Sequence, residues 1–304
     1  MLNTRHLQYF LTVAELRNIT RAAERLHISQ PALSKQIGEL ERQLSAILFV
    51  RNGRTLDLTP AGEILIKEGR RYLAFEESIC RKVREAARSN RSEPRPLRLG
   101  YTGALEVQGL PTLIQQFRIH HPGYLLDVQR LSLEDLITSL QVGQTDAGLL
   151  MVSNPKGEPG LACKVLCEDP LCAVASPSHP LVLRNRVYLR DVVREPLILC
   201  TGEPIIYDRF MDCCRETGLS PNIVDRHKMV ESALLMVRAG AGITILSEQI
   251  SATTGSNLLR IPVQGLPSVF LTLSWRPDNE NPGVALLAKL AVQIPWKAPN
   301  APED

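Results

Sequence analysis

The sequence predicts two unlike parts: an all-α N-terminal head holding a winged helix-turn-helix and a long linker helix, and a C-terminal α/β body of two Rossmann-like lobes. Three observations predict it. Residues 20–44 read as two helices joined by a tight turn, the second opening with small polar groups and a basic residue. After Thr59-Pro60 a charged stretch carries apolar side chains at helical spacing. Beyond Ser92-Glu93-Pro94-Arg95-Pro96, short apolar runs alternate with helical stretches, the pattern of mostly parallel sheets with helices on both faces.

In the head, Leu7, Phe10, Leu11 and Ala14 follow the i, i+3, i+4, i+7 rule of a helix that buries one face. Thr20 is the expected N-cap of the second helix, with Ala22, Ala23 and Leu26 packing beneath it. Ala23 is small where two helices cross closely. His27-Ile28 makes the turn, with Ile28 as its apolar plug. Ser29 caps the third helix, and Pro31 is tolerated because first-turn amides have no intrahelical partner. Leu33, Ile37, Leu40 and Leu44 form the buried stripe. Off that stripe, Gln30, Pro31, Ser34 and Lys35 crowd the exposed N-terminal end, the chemistry that enters a DNA major groove. Together with Thr20 they are the candidate base and backbone contacts. The following Phe49–Leu58 segment holds Asn52-Gly53, a hairpin turn signal, and reads as a wing that brings Arg51 and Arg54 near phosphates or the minor groove.

Charge follows the same division. Residues 1–91 hold 16 Lys and Arg against 10 Asp and Glu, whereas residues 92–304 hold 19 against 22. The basic end is the end with the helix-turn-helix, as displacement of counterions from a polyanion requires. Thr59 and Pro60 open a long helix by cap and first-position preference, running to about residue 89. Leu65, Tyr72, Ile79 and Ala86 are spaced by seven, with Phe75 beside them, a stripe suited to pairing with another copy of the chain. The domains expected are thus a DNA-binding unit over 1–59, a linker and dimerisation helix over 60–91, and a ligand-binding unit over 92–304.

Within the C-terminal unit, strands are expected at 97–100, 125–130, 147–152, 171–175, 197–200, 243–246 and 269–275. Helices are expected at 109–121, 132–142, 210–217 and 230–239. Some 210 residues suit two small lobes better than one. Ligands of open α/β sheets bind at the carboxyl ends of strands, where glycine admits close approach and helix N-terminal amides favour anions. The candidates are therefore Thr102, Gly103 and Ala104 after the first strand, Ser132 and Leu133 after the second, and Thr201, Gly202 and Ile206 after the central strand of the second lobe.

The seven cysteines lack regular spacing, so neither a disulfide framework nor a zinc site is expected, and no metal or cofactor. Adjacent residues on a helix point apart, which disfavours a bridge between Cys213 and Cys214. The N-terminus has no apolar signal core, and nothing approaches the ~20 apolar residues of a membrane span, so a cytoplasmic protein is expected. Neither a Gly-x-Gly-x-x-Gly, a phosphate loop nor a Gly-x-Ser-x-Gly is present, which argues against an enzyme.

Residues 5–66 resemble the DNA-binding domain of LysR-type transcriptional regulators. The resemblance is carried by His6-Leu7-Gln8-Tyr9-Phe10, Thr20–Leu26, Ser29-Gln30-Pro31-Ala32-Leu33-Ser34, Leu40-Glu41, Leu48–Arg51 and Leu58–Gly62. One departure is Ser45, where the family usually has a helix-ending glycine. A weaker resemblance continues through Asp146-Ala-Gly-Leu, His179-Pro180-Leu181 and Ala239-Gly-Ala-Gly-Ile. Pro221–Trp275 is similar to members serving aromatic-acid catabolism. The resemblance implies bacterial origin, an antiparallel linker-helix dimer or a tetramer, and lobes related to periplasmic binding proteins. The first lobe would use about 96–165 and 267–297, the second about 166–266. A small-molecule effector, an aromatic or other small carboxylate, would bind between them and change how the protein holds double-stranded DNA. Ala104 and Leu133 stand where diacid-binding members tend to carry hydroxyls, which weakens a dicarboxylate assignment. Two alternatives are a redox regulator using cysteine oxidation and a small-molecule-binding enzyme with an appended DNA-binding domain.

Overall fold

A computed structural model describes residues 3–52, 55–88, 95–102, 109–252 and 257–296. The chain forms two compact units, Met1–Arg91 and Ser92–Asp304.

The first unit is built from α1 (Thr4–Leu16), α2 (Ile19–Arg25), α3 (Gln30–Leu44), β1 (Phe49–Asn52), β2 (Thr55–Leu58) and α4 (Pro60–Arg88). Leu7, Phe10 and Val13 of α1, Ala22 and Ala23 of α2, and Leu33, Ile37 and Leu40 of α3 are buried together. The cap of α2 is Asn18, not Thr20: the Asn18 Oδ1 accepts from the Arg21 amide at 3.0 Å, and Thr20 is already helical. Starting there lets Ile19 pack on the core. The turn uses His27 at φ 55°, with the His27 amide donating to Glu24 O at 3.1 Å and the Ile28 amide to Ala23 O at 3.0 Å. This pair of bonds satisfies the last carbonyls of α2 and drops Ile28 onto the core. Ser29 caps α3 as expected, accepting from the Ala32 amide.

Leu44 does not complete the buried stripe. It is exposed, because the last turn of α3 passes the end of the core and Leu48 closes that end instead. Ser45 takes the left-handed conformation expected of a glycine, at φ 50°, and the Ser45 and Ala46 amides donate to Arg42 O and Glu41 O. The Glu41 carboxylate then accepts from the Leu48 and Phe49 amides, fixing the start of the wing to α3. In the wing, Asn52 is the last paired residue of β1 and faces Thr55, so the turn does not centre on Asn52. Gly53 and Arg54 lie outside the described residues.

Thr59 starts α4 by accepting from the Gly62 amide while donating to Ile47 O. Gly62 and Gly69 let α4 lie against Leu48 and Leu7, where a Cβ would collide. Leu65, Ile66 and Leu73 join the core on that side. Leu65 therefore packs within its own unit rather than on the stripe proposed for pairing. The exposed apolar face of α4 runs instead through Ile64, Tyr72, Phe75, Ile79 and Val83. The side chain of Ala86 lies outside the description.

The second unit begins with β3 (Arg95–Tyr101), α5 (Gly109–His120), β4 (Tyr124–Arg130), α6 (Leu133–Gln141) and β5 (Ala147–Val152). Strands β3, β4 and β5 are parallel. The chain then runs through one long strand, β6 (Ala162–Ala175), into a second lobe. That lobe holds β7 (Val187–Tyr188), α7 (Leu189–Val192), β8 (Leu197–Cys200), α8 (Pro204–Glu216), β9 (Ile223–His227), α9 (Val230–Arg238), β10 (Thr244–Ser247), α10 (Glu248–Ala252) and β11 (Leu259–Gln264). Strand β12 (Ser268–Trp275) returns to the first lobe, and α11 (Pro282–Ala291) packs there.

The order β4-β3-β5-β12-β6 makes the first sheet. Leu149 on one face of β5 joins Leu97, Phe117 and Leu287, while Leu150 and Val152 on the other join Leu136 and Leu140. In the second lobe β6 continues between β10 and β11. Among the described strands the expectation of mostly parallel sheets holds for β3 with β4 and β5, for β8–β9 and for β7–β11. Strands β6, β10, β11 and β12 pair antiparallel, because the chain enters the second lobe and comes back beside its own path. The two crossings touch where the Leu171 amide donates to Pro267 O. Beside them Asp169 is 1% exposed, its Oδ1 accepts from the Gln249 amide, and burial pushes its carboxyl up to about 6.

Ser45 sits in a conformation that L-residues adopt at a cost of roughly 1–2 kcal/mol and glycine adopts freely, offset in part by glycine's larger entropy in the unfolded chain. Ser45→Gly is expected to stabilise the N-terminal unit by about 0.5–1 kcal/mol, read as a higher midpoint for its transition in urea; an unchanged or lower midpoint would refute the cap assignment.

Candidate nucleic-acid interface and ligand cleft

The N-terminal turns of α3 present Gln30, Pro31 and Lys35 exposed and Ser34 half-buried, all off the buried stripe. Thr20 is exposed in the first turn of α2. Arg51 lies on β1 opposite Leu56; its side chain, like all of Arg54, is outside the description. One turn further along the same face of α3, Gly38 has open space where a Cβ would stand. An interior helical glycine costs about 1 kcal/mol relative to alanine, and no atom of the described residues lies within 4 Å of the Cβ position to require it. It leaves the backbone of α3 open to close approach by a partner, a feature the sequence reading passed over because glycine contributes nothing to periodicity. The wing and α3 are held in one arrangement by Glu41, so the two candidate contact elements present a fixed spacing.

In the C-terminal unit a cleft of about 810 Å³ opens between the lobes, within the usual range of small-molecule sites. The first lobe contributes Thr102 after β3, Arg130 at the end of β4, and Ser132, Leu133 and Glu134 at the start of α6. The second contributes Thr201, Gly202 and Glu203 after β8, Pro204 and Ile205 at the start of α8, and Lys228 after β9. Of the predicted residues, Thr102, Ser132, Leu133, Thr201 and Gly202 come together here. Gly103 and Ala104 lie outside the described residues. Ile206 does not line the cleft: it is 2% exposed and packs in the second-lobe core, because α8 begins at Pro204 and turns Ile205 outward instead.

The hydroxyls are partly committed. Ser132 Oγ donates to Asp135 Oδ2 at 2.7 Å and accepts from the Asp135 amide, capping α6. Thr201 Oγ1 and the Thr201 amide both donate to His227 O. Positive potential comes instead from Arg130, Lys228 and the amide ends of α6 and α8. Arg130, Glu203 and Lys228 were missed at the sequence level. Arg130 was visible as the last residue of its strand, but Lys228 follows β9, a strand the sequence reading did not place. Glu203 stands at the N-cap of α8 without a side-chain cap bond. Burial pushes its carboxyl up to about 7 despite the pull of Arg130, with Glu231 pushing the same way.

None of the seven cysteines is joined in a disulfide. Burial pushes Cys172 up to about 12 and Cys214 up to about 11, and raises Cys163, Cys200 and Cys213 as well. A raised thiol is a poor nucleophile towards peroxide at neutral pH.

Residues 4–63 match the family model described as bacterial regulatory helix-turn-helix protein, lysR family, and residues 90–293 match the LysR substrate binding domain. The HTH-type transcriptional regulator AlsR of Bacillus subtilis (strain 168) is 31% identical over 285 residues, 91% of each chain. The Hca operon transcriptional activator HcaR of Escherichia coli (strain K12) is 29% identical over 287 residues, 92% of this chain and 94% of that one. Among solved structures, full-length BenM aligns with a TM-score of 0.57 at 26% identity, over 96% of this chain and 95% of that chain. CbnR in complex with its target DNA aligns with a TM-score of 0.58 at 24% identity, over 96% and 99%, a likeness of fold.

At Gly202 any Cβ would collide with the Lys228 carbonyl oxygen, the contact that closes the second-lobe wall of the cleft. Gly202→Ala is expected to destabilise the C-terminal unit by about 1–3 kcal/mol, the usual result of forcing atoms into a filled position. A thermal melt that leaves its transition unmoved would show that β8 and the segment after β9 are not held at this separation.

Proposed function

The chain belongs to the LysR family of bacterial transcriptional regulators, and from that premise we propose how its own residues carry the work. It is a DNA-binding regulator with an effector-binding domain, and its relatives are regulators rather than enzymes. In the proposed reading, Gln30, Pro31, Ser34 and Lys35 enter the major groove, Thr20 meets the backbone, and Arg51 and Arg54 of the wing meet phosphates or the minor groove. The observation that carries it is the polar N-terminal face of α3, kept off the core by the Leu33, Ile37 and Leu40 stripe and tied to the wing through Glu41.

The effector is a small carboxylate, aromatic or aliphatic, held in the interlobe cleft by Thr102, Ser132, Thr201, the backbone at Gly202, and the cations Arg130 and Lys228. Burial raises Cys163, Cys172, Cys200, Cys213 and Cys214, which favours this over oxidation of those five thiols as the signal. Effector binding shifts the population of lobe arrangements, and through them the packing of chains on paired half-sites. The protein works as a homodimer or homotetramer, with the Ile64, Tyr72, Phe75, Ile79 and Val83 face of α4 as the pairing seam. As a DNA-binding regulator it acts in the cytoplasm; no helix among the described residues is long and apolar enough to cross a membrane.

Ser34→Ala combined with Lys35→Ala is expected to weaken specific DNA binding by about 1–3 kcal/mol per lost base contact, with folding intact. Gel-shift affinity equal to wild type at fixed salt would remove both residues from the interface. Phe75→Glu with Ile79→Glu is expected to convert the oligomer to monomer in sedimentation velocity and to abolish binding to paired half-sites. A wild-type monomer at micromolar concentration would sink the pairing seam.

A further inference from the structure

Among the described residues, the charged groups that line the cleft balance in number. Arg130 at the end of β4 and Lys228 ahead of α9 bring two positive charges, and Glu203 at the N-cap of α8 and Glu134 in the first turn of α6 bring two negative ones. Among the described residues, the other charged or titratable groups near Glu203 do not lower its carboxyl. Glu231, in the first turn of α9, repels it. Cys200, the last residue of β8 and three positions earlier in the chain, is kept a neutral thiol by burial. Asp135 of α6 turns back to Ser132.

A carboxylate entering this cleft is drawn to Arg130, Lys228 and the amide ends of α6 and α8. Those same features already balance Glu203 and Glu134. A further negative charge in a partly desolvated volume is unfavourable unless one of the resident carboxylates is neutralised. Glu203 is the one placed to do so. It lines the cleft together with Arg130, whose charge acts on it, and makes no side-chain capping bond that demands the ionised form.

We propose that the cleft takes up a small carboxylate together with one proton from solvent, and that the proton rests on Glu203, whose neutral carboxyl then donates a hydrogen bond into the ligand. The inference rests on the interlobe cleft being the effector site. Before binding, burial already pushes Glu203 up to about 7 against the attraction of Arg130. A ligand that neutralises Arg130 removes that attraction and pushes the group higher still. The linkage sign follows: below pH 6 Glu203 is already protonated and affinity is level, and as pH rises through about 7 the proton must be supplied and affinity falls. Such a site reports its carboxylate most strongly when the surroundings are acidic. It also favours ligands with a hydrogen-bond acceptor beside the bound carboxylate over those with a donor.

The test is calorimetric titration of the full-length chain with acetate, benzoate and pyruvate, from about pH 6 to pH 8, in buffers of low and high ionisation enthalpy. The expected result is a Kd that weakens about tenfold from pH 6 to pH 8 with uptake of close to one proton at the upper end. Glu203→Gln is expected to hold the pH 6 affinity across the range. A wild-type Kd that is level with pH, or a Glu203→Gln variant that keeps the wild-type slope, overturns the proposal while leaving the effector cleft standing. Absence of binding by all three probes at pH 6 overturns both. Should the variant fail to fold, the carboxyl carbon of Glu203 followed by NMR in the wild-type chain decides the matter: its titration moves upward on adding a binding probe, or the proposal fails.

Discussion

The pairing of β6 with β12 is the constraint on which the C-terminal unit depends. Strand β6 leaves the first sheet and enters the second without a break, and β12 brings the chain back alongside it. The two passages are hydrogen-bonded to each other from Ala162 opposite Trp275 to Pro170 opposite Ser268. Two linked strands permit rotation of one lobe against the other and resist their separation. The cleft follows from this, because β3 and β4 on one side and β8 on the other end their strands towards the same gap. Asp169 lies buried beside the crossing, where its carboxyl accepts from the Gln249 amide at the start of α10. Motion at the crossing therefore disturbs a desolvated acid as well as a sheet, and that favours a small number of discrete arrangements over a continuum.

How much of this could be read from the chain depended on how local the cause was. The Ser29 cap and the Thr59-Pro60 start of α4 are set by a few neighbouring residues and were legible, while the left-handed position at Ser45 was legible only through the family resemblance. Thr20 was misplaced because Asn18, two residues earlier, is an equally good cap, and burial of Ile19 decides between them. Leu44 and Leu65 failed for a shared reason: a helical period says which face a residue occupies but not where along the helix the neighbouring core stops. The wing register moved by the same kind of tertiary preference, with Asn52 drawn into the ladder.

The second lobe was harder. Strand β9 reads Ile-Val-Asp-Arg-His, an edge strand whose alternation is diluted by charge, and the first half of β6 pairs with β12 along a bulged register that leaves little period to detect. Helix α11 carried a signal, Asn281 before Pro282, that was passed over. The cleft was half visible. Strand ends predicted its hydroxyls and glycine, while its charged residues converge from four separate elements that only the topology brings together. Hydroxyls such as Ser132 turn out to be helix caps first, so the electrostatic character of the site comes from residues whose sequence context is unremarked: Arg130, Glu203 and Lys228.

The double crossing also makes the second lobe an insertion. Everything from Leu171 to Pro267 enters and leaves through one neighbouring pair of points, bonded to each other at 3.3 Å, while β3 before it and α11 after it both belong to the first lobe. A segment with adjoining ends can be exchanged as a cassette with little strain on its host. Recombination between related genes at those two points would replace the Thr201–Ile205 and Lys228 wall of the cleft while preserving Thr102, Arg130 and the linker that leads to the DNA-binding head. A lineage of such regulators can thus acquire new chemical tastes half a binding site at a time.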